Sequence, residues 1–197
     1  MSIAVAVRKG NEIVLATDSQ SNLGAHRELP PNCVIAKMVR IGAAVVASTG
    51  WSIYGNILDD YCRTHKQISL VSETAIFRFF MKFWKDLHKN YPFVNDQCQE
   101  EDDRNPFGDL DAEFLVVSPG GIFHVASNMS VTEYLRYHAI GSGCDYATGA
   151  LYVLHEDAAL DAETLARRAV EVANRYDIHC GGETRVEKIR VKGKGVH

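Results

Sequence analysis

An apolar run opens almost at the start of the chain. Residues 3–7, Ile3-Ala4-Val5-Ala6-Val7, form an apolar run rich in β-branched side chains, Lys9-Gly10-Asn11 has turn chemistry, and residues 13–16 resume the apolar run. This pattern predicts a β-hairpin whose first strand starts almost at the chain terminus, where a segment frays unless it is tied down. After a loop holding Pro30-Pro31, residues 34–40 and 43–48 predict a second strand pair that turns at Gly42. The period then lengthens. Tyr54, Ile57, Leu58 and Tyr61, followed by Ile76, Phe79, Phe80, Phe83, Trp84 and Leu87, recur at helical spacing, with Ser72 as the expected cap of the second helix. Strand-like runs return at 114–117 and 122–126. Helical spacing follows in Tyr146, Ala150, Leu151 and Leu154 and again in Leu165, Ala169, Val172, Ala173 and Tyr176, before a last strand over 184–191. Strands at both ends and helices in two separate pairs predict an α+β fold of two stacked sheets, each covered by a helical layer.

A length of 197 residues suits one domain, and the acidic, Pro- and Gly-containing stretch 92–111 reads as a solvated loop inside it rather than a linker. In and just beyond that stretch Asp103, Asn105, Gly108 and Glu113 have a faint calcium-loop spacing, but Pro106 interrupts it and the closing Glu comes one position early. No apolar run is long enough to span a bilayer. The N-terminus lacks the layout of a secretory signal, so the cytoplasm is the expected location. Five cysteines, Cys33, Cys62, Cys98, Cys144 and Cys180, are odd in number and scattered, which predicts reduced thiols rather than disulfides or a zinc cage. The eight histidines are equally dispersed, so no metal site is expected. A net charge of −4 without a basic stripe argues against nucleic acid as a partner.

Three residues carry candidate chemistry. Ser2 follows Met1 directly and, once exposed as a chain terminus, would hold both a hydroxyl and an α-amine with a pKa of about 8 that can act as its base. Asp18 closes an apolar strand, and Lys37 lies between Ile35 and Val39; a buried carboxylate and a buried ammonium would each need a partner. Taken singly, an Asp ending a strand is a common turn former and a Lys in an edge strand a common guard against aggregation.

The segments Ser2-Ile3-Ala4-Val5-Ala6-Val7-Arg8, Ala16-Thr17-Asp18-Ser19-Gln20, Lys37, Ser48-Thr49-Gly50, Ile140-Gly141-Ser142-Gly143-Cys144-Asp145-Tyr146-Ala147 and Asp177-Ile178-His179-Cys180-Gly181-Gly182 occur in one order across nearly the whole chain. In that order and spacing the chain resembles the proteasome β-subunit and HslV family of N-terminal-nucleophile hydrolases. The resemblance implies a four-layer αββα sandwich, with an acidic insertion near residues 95–111 and a loop over 21–32 a few residues longer than usual. It implies a peptidase without a cofactor, acting on peptide or unfolded protein in a ring-like homo-oligomer, and leaves room for an ATP-dependent unfoldase as partner. Ser2 takes the nucleophile's place, where the family has Thr. Asp18 and Lys37 take the places of the buried pair, Ser142 and Asp177 those of the groups supporting the α-amine, and Gly50 that of the oxyanion donor. Ser21, Ile35, Val39 and Ser52 are the expected substrate-binding positions. Cys180 stands where the family has Ser. A small-substrate amidase of the same class and a non-catalytic scaffold subunit retaining Met1 are the alternatives at this stage.

Overall fold

The computed structural model describes residues 2–65, 68–94 and 109–191. The predicted hairpin is β1 (Ala4–Lys9) and β2 (Glu12–Thr17), paired antiparallel with Val7 opposite Val14 and reversed through Gly10, whose φ of +55° is readily available only without a side chain. On its other flank β1 pairs with β10 (Tyr137–Ile140), and β2 pairs with β11 (Arg185–Arg190). The first sheet therefore runs β10-β1-β2-β11. This ties down the chain's first residues: the pairing extends past β1, where the Asp18 N–H donates to the Ile3 carbonyl at 3.3 Å.

The second sheet runs β5 (Met38–Ile41), β6 (Ala44–Gly50), β7 (Ala112–Ser118), β8 (Gly121–Val125), β9 (Val131–Tyr134), antiparallel throughout. Between β9 and β10 the chain crosses from one sheet to the other. A small separate hairpin, β3 (Ser21–Leu23) with β4 (His26–Glu28), occupies the loop that the sequence pattern left without structure.

Period-two alternation sorts the side chains into three cores. Ala4, Ala6, Ile13 and Leu15 of the first sheet meet Val45, Ala47, Leu115 and Val117 of the second. On the outer face of the second sheet, Val46, Phe114 and Val116 pack under α1 (Ser52–Thr64) and α2 (Glu73–Asn90) through Tyr54, Leu58, Phe80 and Phe83. On the outer face of the first, Ile3, Val5, Val7 and Val14 pack under α3 (Cys144–Leu154) and α4 (Ala162–Tyr176) through Leu151, Leu165, Ala169 and Ala173. The result is the four-layer αββα sandwich. Ser72 caps α2 as expected, accepting from the Ala75 N–H at 3.3 Å. In α3 the buried positions are Ala147 and Leu151, whereas Tyr146 is turned outward and stacks on Tyr176 with ring centroids 5.9 Å apart. Cys33, Cys62, Cys144 and Cys180 are free thiols. Cys98, the faint calcium-loop residues Asp103, Asn105 and Gly108, and the acidic stretch 95–108 lie outside the described residues. No helix among the described residues is long and apolar enough to cross a membrane.

Candidate active site

At one end of the sandwich β1, the segment after β2, the segment before β5 and the end of β6 converge. Strand alternation turns Ser2 to the same side as Ala4 and Ala6, toward the second sheet. The Lys37 ammonium lies between two oxygens there, 2.9 Å from Ser2 Oγ and 2.6 Å from Asp18 Oδ1. Asp18 has no exposed surface and is the acceptor hub of the site. Besides Lys37, its Oδ1 accepts the Ile3 N–H at 3.2 Å, and its Oδ2 accepts those of Gln20 at 3.2 Å and Gly181 at 3.1 Å. Four donors satisfy a carboxylate that burial would otherwise penalise heavily. Burial lowers the Lys37 ammonium from its ordinary range, and the Coulomb and hydrogen-bond contribution of Asp18 opposes that shift without cancelling it. The cation is thus held close to the Ser2 hydroxyl, where it favours an alkoxide over an alcohol.

Lys37 reaches this position differently from the expected strand geometry. Residues 34–37 are irregular and β5 begins only at Met38. The segment is fixed by Arg185, whose Nη1 donates to the Ile35 carbonyl at 2.9 Å, and by the Ser48 N–H, which donates to the Lys37 carbonyl at 3.2 Å. Val39, expected to line the substrate pocket on one face with Ile35 and Lys37, instead packs against the core beneath α1 and α2. Its strand starts after the irregular segment, so alternation does not carry across from Ile35.

Ser142 and Asp177 come together with Ser2 through a short chain of contacts. The Ser142 hydroxyl donates to the Ser2 carbonyl at 3.4 Å and lies 3.9 Å from Cys180 Sγ, and that thiol donates to Asp177 Oδ2 at 3.2 Å. The His179 N–H donates to Asp177 Oδ1 at 2.9 Å. Burial would raise the Asp177 carboxyl, but the Ser142 hydroxyl beside it and the hydrogen bonds from the His179 N–H and Cys180 outweigh it and hold the group below its ordinary range. Burial, with Asp18 and Asp177 nearby, pushes the Cys180 thiol strongly upward, so it stays protonated and acts as a donor.

Two glycines are required by close approach. A Cβ on Gly141, at φ +98°, would overlap the Ser2 carbonyl, and one on Gly50, at φ +95°, would overlap the Asp111 carbonyl. Both keep backbone tightly apposed at the Ser2 end of the site.

A cleft of about 670 Å³ opens over Ser2 and Lys37, a volume that suits substrate side chains. Of the expected substrate-binding positions, Ser21, Ile35 and Ser52 line it, as does Gly50. So do residues the sequence did not single out: Gln20, Asn22, Trp51 and Asp111. Trp51 precedes α1 without a side-chain capping bond, and Ser52, Gly55 and Asn56 of the first turns border the cleft. The positive end of the α1 dipole therefore faces the cleft. Among the described residues there is no group of three or more His, Cys, Asp and Glu able to hold a metal ion.

No protein-family model matches the chain. Among solved structures it is similar to Thiobacillus denitrificans BPH in complex with Epoxomicin, at 28% identity and a TM-score of 0.86 over 97% of this chain and 100% of that one. A further structure of Thiobacillus denitrificans BPH matches at 29% identity and a TM-score of 0.86, covering 96% of this chain and 98% of that one. Eukaryotic HslV from Trypanosoma brucei shares the fold at 21% identity and a TM-score of 0.66, with 95% and 99% of the two chains covered. Motif order, four-layer architecture and these likenesses agree: the chain resembles BPH over nearly its whole length and shares its fold with HslV.

Proposed function

We propose that the protein is a peptidase whose nucleophile is the Ser2 hydroxyl after removal of Met1. The observation that carries this reading is the single ammonium of Lys37 spanning Ser2 Oγ and buried Asp18. In the proposed cycle the free α-amine of Ser2 takes the Oγ proton, directly or through a water, and Oγ attacks the scissile carbonyl. The oxyanion that forms is met by the Gly50 N–H, a donor useful because its partner charge exists only in the transition state. The protonated amine then gives its proton to the departing amine, leaving an ester on Ser2. A water, deprotonated by the same amine, hydrolyses it. Lys37 keeps the oxygen nucleophilic, and Ser142 and Asp177 hold the ammonium form of the amine. With Met1 attached, the Ser2 nitrogen is an amide and cannot serve as a base at neutral pH.

The cleft wall at Ile35 and Trp51 favours apolar over acidic side chains before the scissile bond; faster cleavage after Asp or Glu in a peptide library would overturn that preference. Exposed apolar residues on the outer helical layer, Tyr152 and Val153 of α3 at 78% and 73% exposure, fit coverage by a neighbouring copy in a ring-like assembly. Such an assembly would enclose the sites and suit a cytoplasmic partner, an ATP-dependent unfoldase, that feeds unfolded chains. Light scattering after size exclusion should give a mass several times 21.9 kDa; a monomer would remove the ring.

Intact mass and covalent labelling test the central reading. The active species should lack one Met residue, and an epoxyketone of the Epoxomicin type should label Ser2 and fail on Ser2→Ala. Equal hydrolysis by protein that retains Met1 would require another nucleophile. Failure of both forms to hydrolyse peptides or take up the probe would favour the scaffold subunit, and hydrolysis of small amides alone the amidase.

A further inference from the structure

The Asp177 loop and the cleft-side hairpin β3–β4 belong to different parts of the chain, and the contacts between them come from two amide side chains. Gln20 is 1% exposed. Its Nε2 donates to the Ile178 carbonyl at 3.0 Å and to Asn22 Oδ1 at 2.8 Å, and Asn22 Nδ2 in turn donates to the His179 carbonyl at 3.0 Å. Backbone bonds finish the junction: the Ser19 N–H donates to the Gly181 carbonyl at 3.0 Å, and Asp18 Oδ2 accepts from both Gln20 and Gly181. A side chain at Gly181 would overlap Gln20 Oε1, so the Gln20 amide is packed directly against the Gly181 backbone.

We infer that Gln20 and Asn22 are positioning residues: an amide brace that holds the root of the cleft-side strand β3 and the Asp177–Cys180 turn in one fixed relation to Ser2. This rests on the proposed peptidase reading. The brace is specific in chemistry, because the two loop carbonyls are acceptors and Asn22 Oδ1 is a third, so residue 20 must donate. Glu at that position keeps the shape and presents only acceptors. The brace also reaches both halves of the site. Gln20 and Asn22 line the cleft, while Asp177 connects to Ser2 through Cys180 and Ser142. Small displacements of such groups are costly, since a misplacement of about 1 Å can reduce a rate about a hundredfold.

The test uses the full chain and the variants Gln20→Glu, Gln20→Met and Asn22→Ala. Amide hydrogen exchange should show faster exchange at 178–182 and 21–23 together in all three, most in Gln20→Glu, with the β1–β2 hairpin still protected. This readout does not depend on activity. With a fluorogenic peptide, kcat/KM should fall about 10- to 100-fold for the Gln20 variants and less for Asn22→Ala. In Gln20→Met and Asn22→Ala, which add no charge, the acid limb of the pH profile should move to lower pH. The charged and titratable groups gathered there are Asp18, Lys37, Asp177, His179 and Cys180; loosening Asp177 removes the anion that favours a protonated amine, so the amine's pKa falls. A merely structural loss would lower the amplitude and leave the limb in place. Exchange confined to one of the two segments, or unchanged in Gln20→Glu, would overturn the brace. In an active wild type, an unmoved limb and unchanged kcat/KM would overturn it equally. Wild-type protein that cleaves no peptide would sink the peptidase reading, and exchange would still decide the brace.

Discussion

Replacing Lys37 by Ala separates two consequences of one buried cation. Asp18 would lose the shortest of four donors and keep the N–H groups of Ile3, Gln20 and Gly181. Breaking a buried ion pair costs about 3–5 kcal/mol, and with three donors remaining the low end, about 3 kcal/mol, applies. For a chain of this size that is a fall in melting temperature of about 6–12 °C. At Ser2, the proposed nucleophile, the loss is of a charged donor 2.9 Å from Oγ. Removal of one preorganised donor at a reacting oxygen slows a step by about 10²–10³. Acylation by an epoxyketone, followed by mass spectrometry on folded protein, should slow by that factor. In a double-mutant cycle with Asp18→Asn, the pair should be less destabilised than the sum of the single variants.

The pH dependence supplies a second signature. Burial, the largest influence, puts the folded Lys37 below its unfolded value of 10.5. Between those two values the unfolded chain binds more protons, so stability rises with pH across the window. Acylation should fall over the same window as the cation is lost, and Lys37→Ala should abolish both trends. A folded Lys37→Ala protein that acylates within about threefold of wild type would refute the assignment of Lys37 to the activation of Ser2.

Gly50→Ala should reduce acylation at least as severely, because its Cβ meets the Asp111 carbonyl and its φ of +95° is strained for any side chain; unchanged rates and melting temperature would contradict that packing. Cys180→Ser replaces a weak thiol donor to Asp177 with a stronger hydroxyl, and Cys180→Val removes it. Peptide hydrolysis should be equal or faster in the first and slower in the second, and identical rates in both would mean the bond is unused. Between the sheets, His138 stacks on Tyr134 with centroids 3.7 Å apart and faces His124, itself 3.8 Å from Glu113. Burial and His124 lower His138 to about 4. The unfolded chain therefore takes the proton first, and stability should fall as pH drops from about 6.5 toward 4, by about 1–2 kcal/mol after allowance for partial solvent screening. The urea midpoint measured at several pH values should show this slope, and His138→Phe should flatten it.

The parts of the fold legible in the sequence are those where local chemistry and tertiary packing agree. The β1–β2 hairpin carries its turn in Gly10, α2 its cap in Ser72, and the helical stripes of α1 and α2, and that of α4 as far as Ala173 but not Tyr176, face their sheets. The illegible parts depend on partners distant in sequence. β9 and β10 mix polar and apolar positions because they lie at sheet edges and the chain changes sheet between them. Tyr146 matches the spacing of α3 yet faces outward onto Tyr176. The roles of Gln20 and Asn22 depend on carbonyls 158 and 157 positions away, which no local pattern encodes.

Lys37 comes to lie beside Ser2 and Asp18 by a geometry other than the one its sequence position suggests. Had residues 34–40 formed one strand, Lys37 would share a face with Val39, and Val39 faces the core beneath α1 and α2. Ser2 lies on the opposite side of the second sheet, the side that Met38 shares with the core between the sheets. A regular strand would therefore have carried the ammonium away from the hydroxyl. The irregular stretch ending at Lys37, held by Arg185 on the Ile35 carbonyl and by Ser48 on the Lys37 carbonyl, changes the side on which the next residue emerges. Positioning Lys37 against Ser2 thus requires the strand to start after Lys37, at Met38, and Arg185, on a strand of the other sheet, helps to impose that late start.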